Sequence, residues 1–200
     1  MKRVYMVLLA LCLLLAGCGG QKTDEVDLKP VCIDGKWGYT NAKGELVIDA
    51  KYNMAHAFYE GLALVTDDPN KLFWKYIDTN GDQAIDDQYG KAGNFSMGLA
   101  MVMIAGKCGY INKKGEIVIE PQYQFARAFA ENGLAPVKVE DLWGYIDREG
   151  TMVIQPQFLD AESFDSTGVA MVVTTDCQKA TLQENGEYTV APDSGIVIVD

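Results

Sequence analysis

Three groups of residues in this 200-residue chain are of the types that carry enzyme or metal chemistry: His56, the only histidine; the run "DTNGDQAIDD" from Asp78 to Asp87; and five cysteines. A Ser/His or Cys/His arrangement would depend on His56 alone, since no second histidine shares the work. His56 lies between Ala55 and Ala57, where three similar segments of the chain carry Gly93, Arg127 and Glu162. A position that alternates among such residues is expected to face solvent, with no catalytic role. The 78–87 run offers Asp78, Asn80, Asp82 and Asp86 in the manner of a calcium loop. Calcium loops between two helices want glycine sixth and a bidentate glutamate twelfth; here glycine is fourth and the twelfth residue is Tyr89. The segment reads instead as a turn between strands, with a weak surface calcium site joined by "TDDPN" at 66–70 as the lower-ranked rival. The glycines are dispersed rather than clustered before a helix, so no phosphate loop is indicated. No cofactor, metal ligand or catalytic residue is expected, and the chain reads as a non-enzyme.

One cysteine has a different chemistry. Lys2 and Arg3 precede an apolar run of about twelve residues, Val4 to Leu15, which is too short for the roughly twenty that span a hydrocarbon core. Ala16, Gly17 and Cys18 follow. A basic start, a short apolar stretch and small residues describe a signal peptide over residues 1–17. "LAGC" resembles the bacterial lipobox, and the resemblance implies that Cys18 receives a diacylglycerol, becomes the new N-terminus and is acylated again. Stable anchoring takes more than one acyl chain, at about 0.8 kcal/mol per buried methylene, and a doubly or triply acylated cysteine supplies them. The expected address is a bacterial cell membrane, facing the extracytoplasmic side. A plain secreted chain with an incidental cysteine is the rival. Residues 19–27, "GGQKTDEVD", form a polar spacer that reaches about 30 Å at most when extended.

Removing residues 1–17 takes Lys2 and Arg3 from the 17 basic residues, leaving 15 against 28 acidic, a net −13. That balance argues against nucleic acid and against electrostatic binding to anionic lipid. With Cys12 in the signal and Cys18 at the tether, Cys32, Cys108 and Cys177 remain. An odd number cannot pair completely within one chain. They read as buried small apolar side chains, with one disulfide open but not inferable.

The elements that hold all of this come from an internal repeat, which is sought before any local assignment. "WGYTNAKGELVIDAKY" from Trp37, "WKYIDTNGDQAIDDQY" from Trp74, "CGYINKKGEIVIEPQY" from Cys108 and "WGYIDREGTMVIQPQF" from Trp143 are copies of one unit, and Lys179 opens a degenerate fifth. Trp-x-Tyr alternates at the strand period. "NAKG", "DTNG", "NKKG" and "DREG" each open with Asn or Asp and close with glycine, as a bulged hairpin turn requires. A second strand follows, which Pro121, Pro156 and Pro192 are expected to stop. Next come the triplets Tyr52-Ala55-Phe58, Tyr89-Ala92-Phe95, Tyr123-Ala126-Phe129 and Phe158-Ala161-Phe164. Their three-residue spacing predicts a short helical turn. A third strand begins at Gly61, Gly98, Gly133 or Gly168. "LKPVCIDGKW" from Leu28 aligns with "LAPVKVEDLW" from Leu134, so the fold begins with a third strand whose hairpin is missing. The C-terminal "SGIVIVD" is available to complete the last unit.

The unit resembles the WG repeat family, W-G-Y-I-D-x-x-G-x-x-V-I-x-P-x-Y followed by alanine, phenylalanine and G-L-A-x-V, over about residues 28–192. The resemblance implies a secreted or surface protein of bacteria and brings no shared catalytic residues. A unit of three strands cannot bury its apolar surface alone, so neighbours must stack. The expected fold is all-β: residues 28–200 as a tandem array of about 35-residue antiparallel three-stranded repeats, open and elongated or superhelical. A small closed propeller-like ring is the alternative. The expected function is protein–protein interaction from a lipid-anchored repeat domain, with glycan or cell-wall binding through exposed aromatics as the alternative.

Overall fold

The computed structural model describes residues 27–190, so Cys18, the signal peptide, most of the spacer, Pro192 and "SGIVIVD" lie outside it. Seventeen strands and no helix are found among the described residues. They form five antiparallel sheets that follow one another along the chain. The first holds β1 (Lys29–Ile33), β2 (Lys36–Thr40) and β3 (Leu46–Tyr52), and the second β4 (Met54–Tyr59), β5 (Leu62–Thr66) and β6 (Lys75–Ile77). The third holds β7 (Leu99–Ile104), β8 (Lys107–Asn112) and β9 (Ile117–Tyr123). The fourth holds β10 (Phe125–Ala126), β11 (Ala135–Val139), β12 (Leu142–Ile146) and β13 (Met152–Phe158). The fifth holds β14 (Asp160–Ala161), β15 (Val169–Val173), β16 (Lys179–Gln183) and β17 (Tyr188–Val190). Within each sheet the strands lie side by side in chain order.

Sequence unit and sheet are out of phase. The third strand of one unit pairs with the hairpin of the next, as β11 pairs with β12, so each sheet draws on two copies. β1 takes the third-strand place in the first sheet: Pro30 opposes Tyr39 as Pro136 opposes Tyr145. The triplets, however, are not helical turns. Each begins a new sheet as a short strand or bridge, and the reason lies in the hydrogen bonds. The N–H groups of Gln124 and Arg127 donate to Lys138 and Pro136 across the sheet, each at 3.0 Å, instead of to carbonyls within their own segment. A neighbouring strand that satisfies these donors removes the need for a local turn.

The four-residue turns form as read. Asn41 Oδ1 accepts from the N–H of Lys43 and Glu45 at 2.9 and 3.0 Å, and Gly44 closes the turn at φ +80°. Asp78, Asn112 and Asp147 repeat the arrangement.

The glycine of Trp-Gly-Tyr has a separate cause. Trp37 opposes Tyr52 and Tyr39 opposes Ile48, so β3 places two more residues in the interval than β2 does. The bulge lies on Gly38, where a Cβ would sit 2.4 Å from the Ile48 carbonyl oxygen. Gly109 and Gly144 face the same approach, at 2.5 Å from Ile119 and Ile154, and their sheets carry the same bulge. Where glycine is absent the bulged strand is absent too. With Lys75 in that position, the fourth strand of the second sheet is reduced to the bridges Trp74–Tyr89 and Ile77–Gln83. With Ala180, β17 pairs with β16 without any register shift. The prolines also belong to the bulge: Pro121 and Pro156 lie inside β9 and β13 and do not end them. A residue that makes no ladder bond loses nothing by lacking an N–H.

Four core clusters fill the gaps between consecutive sheets. Alternate residues of β7 serve opposite neighbours: Leu99 and Met101 pack toward the fourth sheet, Ala100 and Val102 toward the second. A tyrosine strut recurs in every gap. The hydroxyls of Tyr39, Tyr76, Tyr110 and Tyr145 donate to the carbonyls of His56, Gly93, Arg127 and Glu162 at 2.6–2.8 Å. Each strut ring lies on a triplet phenylalanine, Phe58, Phe95, Phe129 or Phe164, with centroids 4.8–5.0 Å apart. Such tilted pairs contribute about 0.5–1.5 kcal/mol beyond the area they bury.

No core cluster joins the fifth sheet to the first among the described residues, and β1 pairs with β2 alone, so the ring is not formed there. The end sheets are chemically distinct. On the open face of the fifth, Lys179 and Thr181 replace the Trp and Tyr that elsewhere reach into the next sheet, while Ala180 and Leu182 stay in the core. On the open face of the first, Lys29 and Thr40 stand where the fourth sheet buries Ala135 and Ile146.

Candidate interaction surface

The residues first suspected of chemistry are separated by the fold. The His56 ring is half-buried and packs edge-on against Trp74, 5.2 Å between centroids, so it is less solvent-facing than its position in the repeat implied. Asp78 Oδ1 accepts the N–H groups of Asn80 and Asp82, the same work that Asn41 and Asn112 do in turns with no acidic run. No group of three or more His, Cys, Asp or Glu side chains converges among the described residues. Of the three described cysteines only Cys108 is buried, where burial pushes its thiol upward; it fills a tryptophan position of the third sheet. Cys32 is exposed and Cys177 half-buried, against the expectation that all three sit in the core. Cys32 belongs to β1, an edge strand of the first sheet, and Cys177 occupies the β15–β16 turn at φ +62°. All three are free thiols.

The strut tyrosines are almost wholly buried and Trp143 is 8% exposed, as read, whereas Trp37 and Trp74 are half-buried against their core clusters. The exposed rings are others, Tyr59, Phe73, Phe125 and Tyr188, none of them a repeat landmark.

One face of the array joins positions that the repeat leaves free to vary. Phe125 and Arg127 of the short-strand segment point to one side, across from Lys138 and Trp143. The Phe125 ring lies 6.5 Å from that of Trp143, and the Arg127 guanidinium sits 5.2 Å from the Trp143 centroid. Arg127 then reaches into the fifth sheet, pairing with Asp160 and Glu162 at 3.1 Å each. On the other side, Lys91 of the segment preceding β7 places its ammonium 5.5 Å from the Phe125 centroid. The face therefore runs Lys91, Phe125, Arg127, Asp160 and Glu162 across three successive sheets. Sequence reasoning marked 56, 93, 127 and 162 as variable but missed that they lie beside Met54, Lys91, Phe125 and Asp160. The available signal was the second free position, two residues before the first, in every copy.

Stacked sheets with recurring interior landmarks and a varied face define a tandem β-repeat scaffold. The chain belongs to the family of WG containing repeats, which matches residues 37–68, 74–108, 109–143 and 143–175. Comparison with curated proteins finds no match. Among solved structures, the computationally designed Ika8 protein is similar with TM-score 0.55 and 11% identity over 84% of this chain and 59% of that one. Hsv2 of Kluyveromyces lactis gives 0.55 and 10% over 82% and 59%. BamB from Moraxella catarrhalis gives 0.51 and 13% over 86% and 62%. At such identities the likeness is one of fold, that of β-propeller and repeat proteins. The chain spans about three fifths of the length of each.

Proposed function

We propose that this chain is a non-catalytic module, lipid-anchored through Cys18 on the extracytoplasmic side of a bacterial cell membrane, whose repeat array binds a partner protein. The anchor rests on "LAGC" behind a short apolar run and on the polar spacer that follows. The observation that carries the binding role is the division of labour inside each repeat. Constant Trp, Tyr, Ala and Phe positions are consumed between sheets, while the residues at 91, 125, 127, 160 and 162 share one connected face. Varied residues brought together on one face of a stacked array are the pattern of a binding surface. The non-catalytic role is supported by the packing of the only histidine against Trp74. Protein is favoured over glycan because no two of Tyr59, Phe73, Phe125 and Tyr188 pack together among the described residues, so they offer no continuous sugar-stacking platform.

The test uses the full chain in intact cells. In vivo cross-linking should yield a discrete protein complex from the membrane fraction, and Cys18→Ser should release the chain from that fraction. Retention on isolated wall polysaccharide without any cross-linked protein would overturn the protein reading in favour of the glycan one. Membrane retention of Cys18→Ser would remove the anchor.

A further inference from the structure

Within the interaction reading, on which this inference rests, the Lys91–Phe125–Lys138 cluster carries more unpaired charge and more exposed ring than any other part of that face. Phe125 is 47% exposed although it is a large apolar side chain on a strand. The ammoniums of Lys91 and Lys138 lie 5.5 and 5.9 Å from its centroid, one from the third sheet and one from the strand paired with it. Neither lysine forms an ion pair among the described residues, in a chain whose net charge is −11. The repeat does not require this arrangement. The positions matching Phe125 are Met54, Lys91 and Asp160, and those matching Lys138 are Thr66, Met103 and Val173. Beside the cluster, the third sheet carries Gly93 and Cys108 where its neighbours carry His56 with Trp74 and Arg127 with Trp143, so the row has its smallest side chains there. The acidic end of the face, Asp160 and Glu162, is already held by Arg127.

We propose that this cluster is the docking site for an acidic segment of a partner protein that also carries an apolar side chain. A partner carboxylate lies between Lys91 and Lys138, and the neighbouring apolar side chain covers Phe125. Charge complementarity selects this occupant: two unpaired cations flank one uncovered ring on an otherwise acidic molecule, and an aromatic anchor rimmed by charge is the composition of an interface hot spot.

The test is amide NMR of the full chain, 15N-labelled, titrated with three probes: the peptide Glu-Asp-Phe-Glu-Asp-Leu, its counterpart with lysine at every acidic position, and tetra-N-acetylglucosamine. The acidic peptide should give saturable shifts at residues 91, 125 and 138. The double variant Lys91→Gln/Lys138→Gln should weaken it roughly tenfold, two exposed charge contacts' worth, and Phe125→Ala should weaken it as well. The lysine double variant should melt at the parent temperature, since neither lysine is in a core cluster, and Phe125→Ala should lower it by only a few degrees, since that ring is half-buried beside Trp143. Equal binding of the lysine peptide, unchanged affinity in the double variant, or preference for the oligosaccharide would overturn the proposal. Saturable shifts on another face would overturn this site while leaving the interaction module standing. Absence of saturable binding by either peptide would overturn the site as well, and the cross-linking experiment decides the module independently.

Discussion

Gly144→Ala is the most informative single perturbation of the fold, because one methyl group meets three fixed atoms. The added Cβ would lie 2.5 Å from the Ile154 oxygen, 2.8 Å from the Pro156 nitrogen and 3.0 Å from the Gln155 carbonyl carbon. All three are backbone, so no side chain can turn away, and relief requires moving β13 off β12. Overpacking of this kind costs about 1–3 kcal/mol, and loss of a ladder hydrogen bond at the bulge adds about 1. Alanine recovers roughly 0.5–1 kcal/mol by restricting the unfolded chain. The net expectation is a loss of about 1–3.5 kcal/mol, or roughly 2–14 °C in melting temperature for a domain of this size. The assay is thermal and guanidinium unfolding of the full chain followed by circular dichroism. Hydrogen exchange at β12 and β13 should be read alongside, because stacked repeats can melt in parts. Ala180→Gly is the matched control: its sheet has no bulge, so it should cost the glycine penalty of about 0.5–1 kcal/mol plus about 0.8 kcal/mol for its buried methyl. A Gly144→Ala protein that melts within 2 °C of the parent, with unchanged exchange in β12–β13, would refute the close-approach account of the Trp-Gly pair.

Three further outcomes are expected. Burial holds the strut tyrosines Tyr39, Tyr76, Tyr110 and Tyr145 well above their ordinary value of 10. Folded chains therefore keep protons that unfolded chains release, so stability should be level below about pH 10 and fall above it; tyrosinate absorbance should rise together with loss of the β-sheet signal. Lys75 holds the Asp67 carboxyl below the usual carboxylate range through a hydrogen bond, and Lys75→Met should let its titration, followed by carboxyl NMR, move back up. A thiol reagent should modify Cys32 at once and Cys108 only on unfolding, since Cys32 is exposed and Cys108 is buried with its thiol pushed up; mass spectrometry of the labelled peptides reads both.

The sequence by itself determined the repeat, its strands and its turns. These are local matters: an Asn or Asp side chain finds N–H groups two and four residues on, and a strand with one buried face alternates at period two. It determined the place of β1 as well, since Leu28 to Trp37 aligns with Leu134 to Trp143. It did not determine what Tyr-x-x-Ala-x-x-Phe becomes, because three-residue spacing suits a helical turn and a strand followed by a bend equally well. The choice fell to β11, which supplies the missing hydrogen-bond partners from outside the segment. Nor did it explain Trp-Gly or the prolines, whose reason is a bulge on a strand about ten residues away. The same holds for the candidate surface. Lys91 and Phe125 are 34 positions apart and belong to different copies, and only the stacking of one sheet on the next brings the ammonium over the ring. Local hydrogen bonding and apolar period are written along the chain, whereas contact between copies depends on the distance and turn from one sheet to the next, which tertiary packing sets.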